Sequence, residues 1–217
     1  MENKVMEPTE ENIKLASEVL KNGGVIVCPT DCNVGLAVDP QHHEAIDKVY
    51  YIKKRPATKP LTLFIEKPED WEQYGEVSEE NSTILEKIID AFWPGPLNII
   101  VHKKPTVSDK MVCYGNSVSI SCMGHPVLQR LLNVYGKPIA MTSANISGQA
   151  DDRLVDIDTA IEQVGKDVDF ILKGESQGTT KSSTIIDLTE KPKIVRKGDI
   201  TIDGLNQAVS CFSEAEN

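Results

Sequence analysis

The stretch Thr142-Ser143-Ala144-Asn145-Ile146-Ser147-Gly148 gathers three hydroxyls and an amide within seven residues. It follows Lys137-Pro138-Ile139-Ala140-Met141, a short apolar run of buried-strand type. Hydroxyl and amide groups can donate to phosphate or carboxylate oxygens. In open α/β sheets ligands collect at such strand-to-loop junctions. Gly148 permits a positive φ or close backbone approach. A polar loop that merely caps a helix is the alternative. A second cluster, Lys53-Lys54-Arg55-Pro56 with Lys59, favours the ligand site. Arg offers phosphate a planar fork and Lys a compact point charge, although cations also collect at solvated helix C-termini. The segment Gly178-Thr179-Thr180-Lys181-Ser182-Ser183-Thr184 could wrap phosphates with backbone N–H groups, but its spacing is not that of a Walker loop. Arg196 would add a further cation, or simply end a surface strand.

Other chemistries fit poorly. Cys28 and Cys32 are four apart across a proline-bearing turn, with no second Cys/His pair at finger spacing. Adjacent His42 and His43 diverge in any regular element. No protein metal ligand is therefore expected. No Gly-x-Ser-x-Gly elbow, Cys/His nucleophile pair or dinucleotide fingerprint occurs. His125 before Pro126 reads as a helix start.

The elements that must hold these groups follow from periodicity. Helices are expected over Glu10–Leu20, 43–53, 82–92 (with Ser82 as N-cap), from His125-Pro126 to Tyr135, over 157–165 and over 203–212. Strands are expected over Val25–Cys28, Leu61–Ile65, Leu97–Val101, Ser117–Cys122, Phe170–Leu172, Thr184–Asp187 and Lys193–Arg196. Residues 30–36 read as a polar turn. Alternating helices and strands imply an α/β sheet covered by helices, and the consecutive late strands make it mixed. Residues 1–9 and 213–217 read as flexible ends around one domain, 10–212.

The 217 residues suffice for one domain with a real core. The net charge of −10 argues against broad nucleic-acid binding, and so against direct tRNA binding, while leaving room for a local basic cleft. No apolar run reaches membrane-spanning length and no secretory leader is evident. Five scattered cysteines suit reduced thiols in a cytoplasmic setting.

Taken together, the motifs resemble the YrdC-like family, which includes the threonylcarbamoyl-AMP synthases. The resemblance spans about residues 10–202. It rests on Pro29-Thr30-Asp31 with Gly35-Leu36, Lys53-x-Arg55-Pro56 with Lys59-Pro60-Leu61, Trp93-Pro94-Gly95-Pro96-Leu97, His125-Pro126, Thr142-Ser143-Ala144-Asn145-x-Ser147-Gly148, Ser183-Thr184-Ile185-Ile186-Asp187, and Arg196 before Gly198. It implies the short form of the family, with a twisted mixed sheet flanked by helices and a concave basic cavity. It implies a reaction of ATP, bicarbonate and L-threonine, with Mg²⁺, giving threonylcarbamoyl-AMP and pyrophosphate. The product would pass to a separate transferase for modification of tRNA adenosine 37. It assigns Lys53 and Arg55 to the triphosphate and Ser143 and Asn145 to the nucleotide and reacting centre. Thr30, Lys59, Thr142, Ser147, Ser183 and Arg196 are expected to line the same cavity.

This sequence departs from the family pattern at four positions. Cys32 stands where threonine is usual and Val34 where tyrosine is usual, both near the amino-acid substrate. Ser121 stands where an arginine is usual, and Met123 where proline follows. An enzyme using another amine or carbamoyl phosphate, and a noncatalytic RNA-binding module on the same fold, are the competing expectations.

Overall fold

The computed structural model describes residues 4–150 and 153–213. Its elements, in chain order, are β1 (Val5–Met6), α1 (Glu10–Lys21), β2 (Ile26–Cys28), β3 (Gly35–Val38), α2 (His43–Lys53), β4 (Thr62–Phe64), a 3-10 turn over Pro68–Gln73, β5 (Gly75–Glu76), α3 (Glu79–Phe92), β6 (Leu97–Lys103), β7 (Ser117–Ser121), α4 (Pro126–Tyr135), β8 (Ile139–Ser143), α5 (Ile157–Val164), β9 (Phe170–Leu172), β10 (Thr184–Asp187), β11 (Lys193–Arg196) and α6 (Ile202–Ala208). The strands form one sheet in the order β1-β9-β2-β3-β8-β4-β7-β6-β10-β11, with β5 pairing β6. Pairing is mixed: β9 with β1 and β2, β4 with β7, and β10 with β6 run parallel, and the other pairs are antiparallel.

Local chemistry sets most helix ends. Thr9 caps α1 by accepting from the Asn12 N–H at 3.2 Å, and Glu10 and Glu11 complement the helix dipole. His125 Nδ1 accepts from the Val127 N–H at 3.2 Å and opens α4, which Gly136 ends at φ 72°. That imidazole also meets Glu175 O through Nε2 at 3.0 Å, so it is a structural group here.

Strand alternation divides the core between the two sheet faces. Val25, Val27, Leu63, Ile99, Val118 and Ile120 join one buried cluster, together with Ala45, Ile46 and Val49 of α2. Ile26, Cys28, Ile139 and Met141 join the other, beneath Ile13, Ala16 and Leu20 of α1 and Leu128 and Leu131 of α4. The second face therefore carries the side chains Asn98, Ile100, Ser119, Thr62 and Phe64. A cavity lies against those residues.

Several expectations need correction. Residues 1–9 read as loose; 1–3 lie outside the described residues, but Val5–Met6 pair in parallel with Ile171–Leu172 and Lys4 Nζ donates to Val168 O at 2.7 Å. Most of 213–217 lies outside the described residues. Ser78, not Ser82, caps α3, accepting from the Asn81 N–H at 3.3 Å. The expected turn at 30–36 closes into β3 from Gly35, because β2 and β8 on either side satisfy its backbone. Strand β8 continues through Thr142 and Ser143, which pair with Leu36 and Gly35. Helix α6 ends at Ala208, where Val209 turns extended.

Candidate functional site

The loop after β8 is tied together from beneath. Lys53 is the last residue of α2, and Lys54 follows in the left-handed conformation at φ 47°. That turn sends the Lys53 side chain under the loop, where it is 1% exposed. Its ammonium donates to Ser143 O, to Asn145 O at 2.6 Å and to Asn145 Oδ1 at 3.3 Å. The Ser147 N–H returns a bond to Lys53 O at 2.8 Å. Burial first, then the Arg55 guanidinium, lowers the Lys53 pKa to about 7. Above the ammonium, Ser143 Oγ donates to Asn145 Oδ1 at 2.6 Å. Lys53 thus fixes the backbone that presents Ser143 and Asn145. It does not reach the cavity wall, which corrects its expected role as a triphosphate cation.

Arg55 does face the cavity. Its Nε donates to Lys59 O at 3.0 Å and its Nη2 to Pro60 O at 2.9 Å. Tyr50 donates to the same Lys59 carbonyl at 2.8 Å. The Lys-x-Arg-Pro turn therefore closes on itself and aims one guanidinium. The Lys59 side chain is exposed and lines nothing, so only its carbonyl serves the site.

On another wall, Thr30 Oγ1 donates to Asn33 O at 2.6 Å and accepts from the Cys32 N–H at 3.2 Å. Asn33 Nδ2 donates to Ser182 Oγ at 2.9 Å, which binds this turn to the late hydroxyl-rich segment. Buried Asp31 takes the Gly124 N–H at 3.0 Å. Burial raises its carboxyl, with Gly124 and His125 opposing. Arg196 donates to Ser183 O and to Ser183 Oγ, both at 2.9 Å. Burial lowers the Arg196 pKa and the nearby Cys32 raises it. The backbone N–H groups of Thr180 and Lys181 bond the exposed Asp199 carboxylate at 2.6 and 3.2 Å, and neither residue lines the cavity.

Together these groups enclose about 350 Å³, within the usual span for a small-molecule site. Of the expected residues, Thr30, Cys32, Arg55, Thr142, Ser143, Asn145, Ser183 and Arg196 line it. Val34 does not: it is 0% exposed and part of the core cluster. Ser121 is also fully buried, its hydroxyl 3.5 Å from Leu97 O. Ser147 stands off the wall with its Oγ enclosed. Sequence reasoning missed Asn33, Asn98, Ser119 and Arg153, while Ser182 falls within the hydroxyl-rich segment it singled out. Strand alternation carried a signal for two of them: with Leu97, Ile99, Val118 and Ile120 turned to the core, Asn98 and Ser119 must face the other way.

The wall has Arg55, Arg153 and Arg196 and, among the described residues, no carboxylate. Guanidinium groups among hydroxyls and amides bind multiply charged oxyanions. Among the described residues no three His, Cys, Asp or Glu side chains gather to hold a metal. No helix among them is long and apolar enough to cross a membrane.

A mixed α/β sheet carries an arginine-lined cavity against one face, an arrangement suited to an oxyanion. The chain belongs to the Sua5–YciO–YrdC family, whose model is described as telomere recombination and matches residues 18–198. A threonylcarbamoyl-AMP synthase of Vibrio campbellii is 32% identical over 188 residues, covering 87% of this chain and all of that one. The crystal structure of P. abyssi Sua5 complexed with L-threonine superimposes with a TM-score of 0.86 at 25% identity, over 97% of this chain. This chain covers 61% of that longer protein. E. coli YciO shares the fold with a TM-score of 0.77 at 23% identity, over 91% of this chain and 96% of that one.

Proposed function

We propose that this protein is a threonylcarbamoyl-AMP synthase, joining L-threonine, bicarbonate and ATP with release of pyrophosphate. The observation that carries the reading is the cavity's charge: three arginines, ringed by hydroxyls, with no carboxylate among the described lining residues. The relative from Vibrio campbellii bears that activity in its name.

The chemistry explains why such a wall is useful. The amine and bicarbonate give a carbamate and water. A carbamate oxygen then attacks the α-phosphorus of ATP, and pyrophosphate leaves. Both partners are anions, so cations must offset their repulsion and take up the charge of the leaving group. Positioning supplies much of the rest, and no protein nucleophile is required. Arg55 and Arg196 are already held by backbone carbonyls and a hydroxyl, so they bind phosphate without further ordering. Lys53 holds the Ser143–Asn145 backbone in place. Mg²⁺ enters as the MgATP substrate, because the described wall has no acidic ligand for a resident ion. The adenylate would pass to a separate transferase for modification of tRNA adenosine 37. A cytoplasmic setting suits that role and the five free cysteines.

The test is incubation with ATP, Mg²⁺ and bicarbonate against a panel of amino acids, measuring pyrophosphate and the adenylate mass. Threonylcarbamoyl-AMP should form only with L-threonine and all other components present. A panel is needed because Cys32, a thiol, lines the wall beside Thr30. Absence of any adenylate would end this reading, and preference for another amine would move the substrate away from threonine.

A further inference from the structure

Asn98 sits on β6 in the wall of the cavity and is 5% exposed. Its amide oxygen is enclosed and has no hydrogen-bond partner among the described residues. A buried polar atom left unpaired costs stability, so this oxygen gains from any donor it can be turned to meet. Register shows its surroundings. Asn98 lies between Ile185 of β10 and Ser121 of β7, and Phe64 of β4 lies beyond Ser121. Residues paired across strands share a face, so this row is the floor of the cavity. Nothing in the row from Ile185 to Phe64 is charged. Its cross-strand neighbour Ser121 has its hydroxyl 3.5 Å from Leu97 O instead.

We propose that Asn98 reads the bound small molecule: a turn of its amide about the terminal bond brings the enclosed oxygen to the cavity, where it accepts a hydrogen bond from an amino or hydroxyl group of the ligand. The arginines take the anionic part of that ligand, while the lone acceptor on the floor takes a hydrogen-bond donor. The inference rests on the cavity being the substrate site. Two sources carry such a donor, the amino acid and the adenine ring.

Asn98→Leu keeps the volume and removes both polar atoms. Calorimetric titration of the whole chain with L-threonine, L-2-aminobutyrate, MgATP and MgITP reads the contact. Affinity for either L-threonine or MgATP is expected to fall roughly tenfold. The thermal midpoint is expected to hold or rise, because an unpaired buried amide is gone. A loss with L-threonine but not with L-2-aminobutyrate, which lacks the hydroxyl, assigns the side-chain hydroxyl. Loss with both assigns the amine. A loss with MgATP but not with MgITP, whose purine lacks an amino group, assigns adenine. Asn98→Ala repeats the titrations with no added bulk. Unchanged affinities in both variants, a clearly lower melting point with unchanged affinities, or no binding to the unaltered chain would each overturn the inference. The readout is binding, so retained binding without pyrophosphate release would count against the proposed reaction alone.

Discussion

Replacing Lys53 with methionine tests the strut beneath the site, because the residue is both buried and charged. Its pKa falls from 10.5 to about 7, burial acting first and Arg55 second. The unfolded chain titrates near the ordinary value. Between pH 7 and 10.5 the unfolded state therefore holds the extra proton, and the stability contributed by Lys53 rises with pH. Below about 7 both states are protonated and the contribution is flat. At about 1.36 kcal/mol per pH unit, the span is worth on the order of 5 kcal/mol. The three acceptors around the ammonium favour its charged form and reduce that figure. Urea unfolding of both proteins, in steps from about pH 6 to about pH 10, gives the comparison. Taking the difference cancels the cysteines and tyrosines that titrate in the same range. Stability of the unaltered chain minus that of Lys53→Met should climb by roughly 1–4 kcal/mol above neutrality. A difference that stays level, or that shrinks as pH rises, would refute the buried-ammonium reading. The same substitution should depress adenylate formation at every pH, because the Ser143–Asn145 backbone loses its anchor.

Arg55→Ala or Arg196→Ala should weaken MgATP binding roughly 10- to 100-fold by calorimetry, as expected for one charged hydrogen-bond donor. Arg55→Lys should not restore it, since the fork that spans the Lys59 and Pro60 carbonyls is lost. Gly198→Ala would place a Cβ 2.4 Å from Ser182 O and 2.5 Å from the Thr184 nitrogen. It should cost about 1–3 kcal/mol in denaturant unfolding and raise the KM for ATP by displacing Ser183. Tyr135→Phe removes the bond to the buried Asp39 carboxylate and should cost about 1–3 kcal/mol with kcat unchanged. Chelating Mg²⁺ should stop pyrophosphate release, and added Mg²⁺ should restore it.

Long periodic helices and apolar runs were legible because their signals are local. Helix α2 and strands β9, β10 and β11 lie within the ranges the pattern indicates. The pairs Val5–Met6 and Gly75–Glu76 were not, because two residues carry no periodicity and owe their strand state to neighbours far along the chain. The start of strand β3 looked like a turn for the same reason: Gly35 and Leu36 become strand only between β2 and β8.

The sequence by itself determined the chemistry: which segments are cationic, which bear hydroxyls, and that no nucleophile or metal set is evident. Those are properties of residue type and spacing. Only the tertiary structure decided which of these groups share a cavity. It turned Lys53 under the loop, left the Lys59 side chain outside, sealed Val34 and Ser121 in the interior, and brought Asn98, Ser119 and Arg153 to the wall. The physical reason is that a side chain's address depends on strand register and on which part of a sheet face the helices leave uncovered. Both are set by packing between segments far apart in the chain, which no local pattern records.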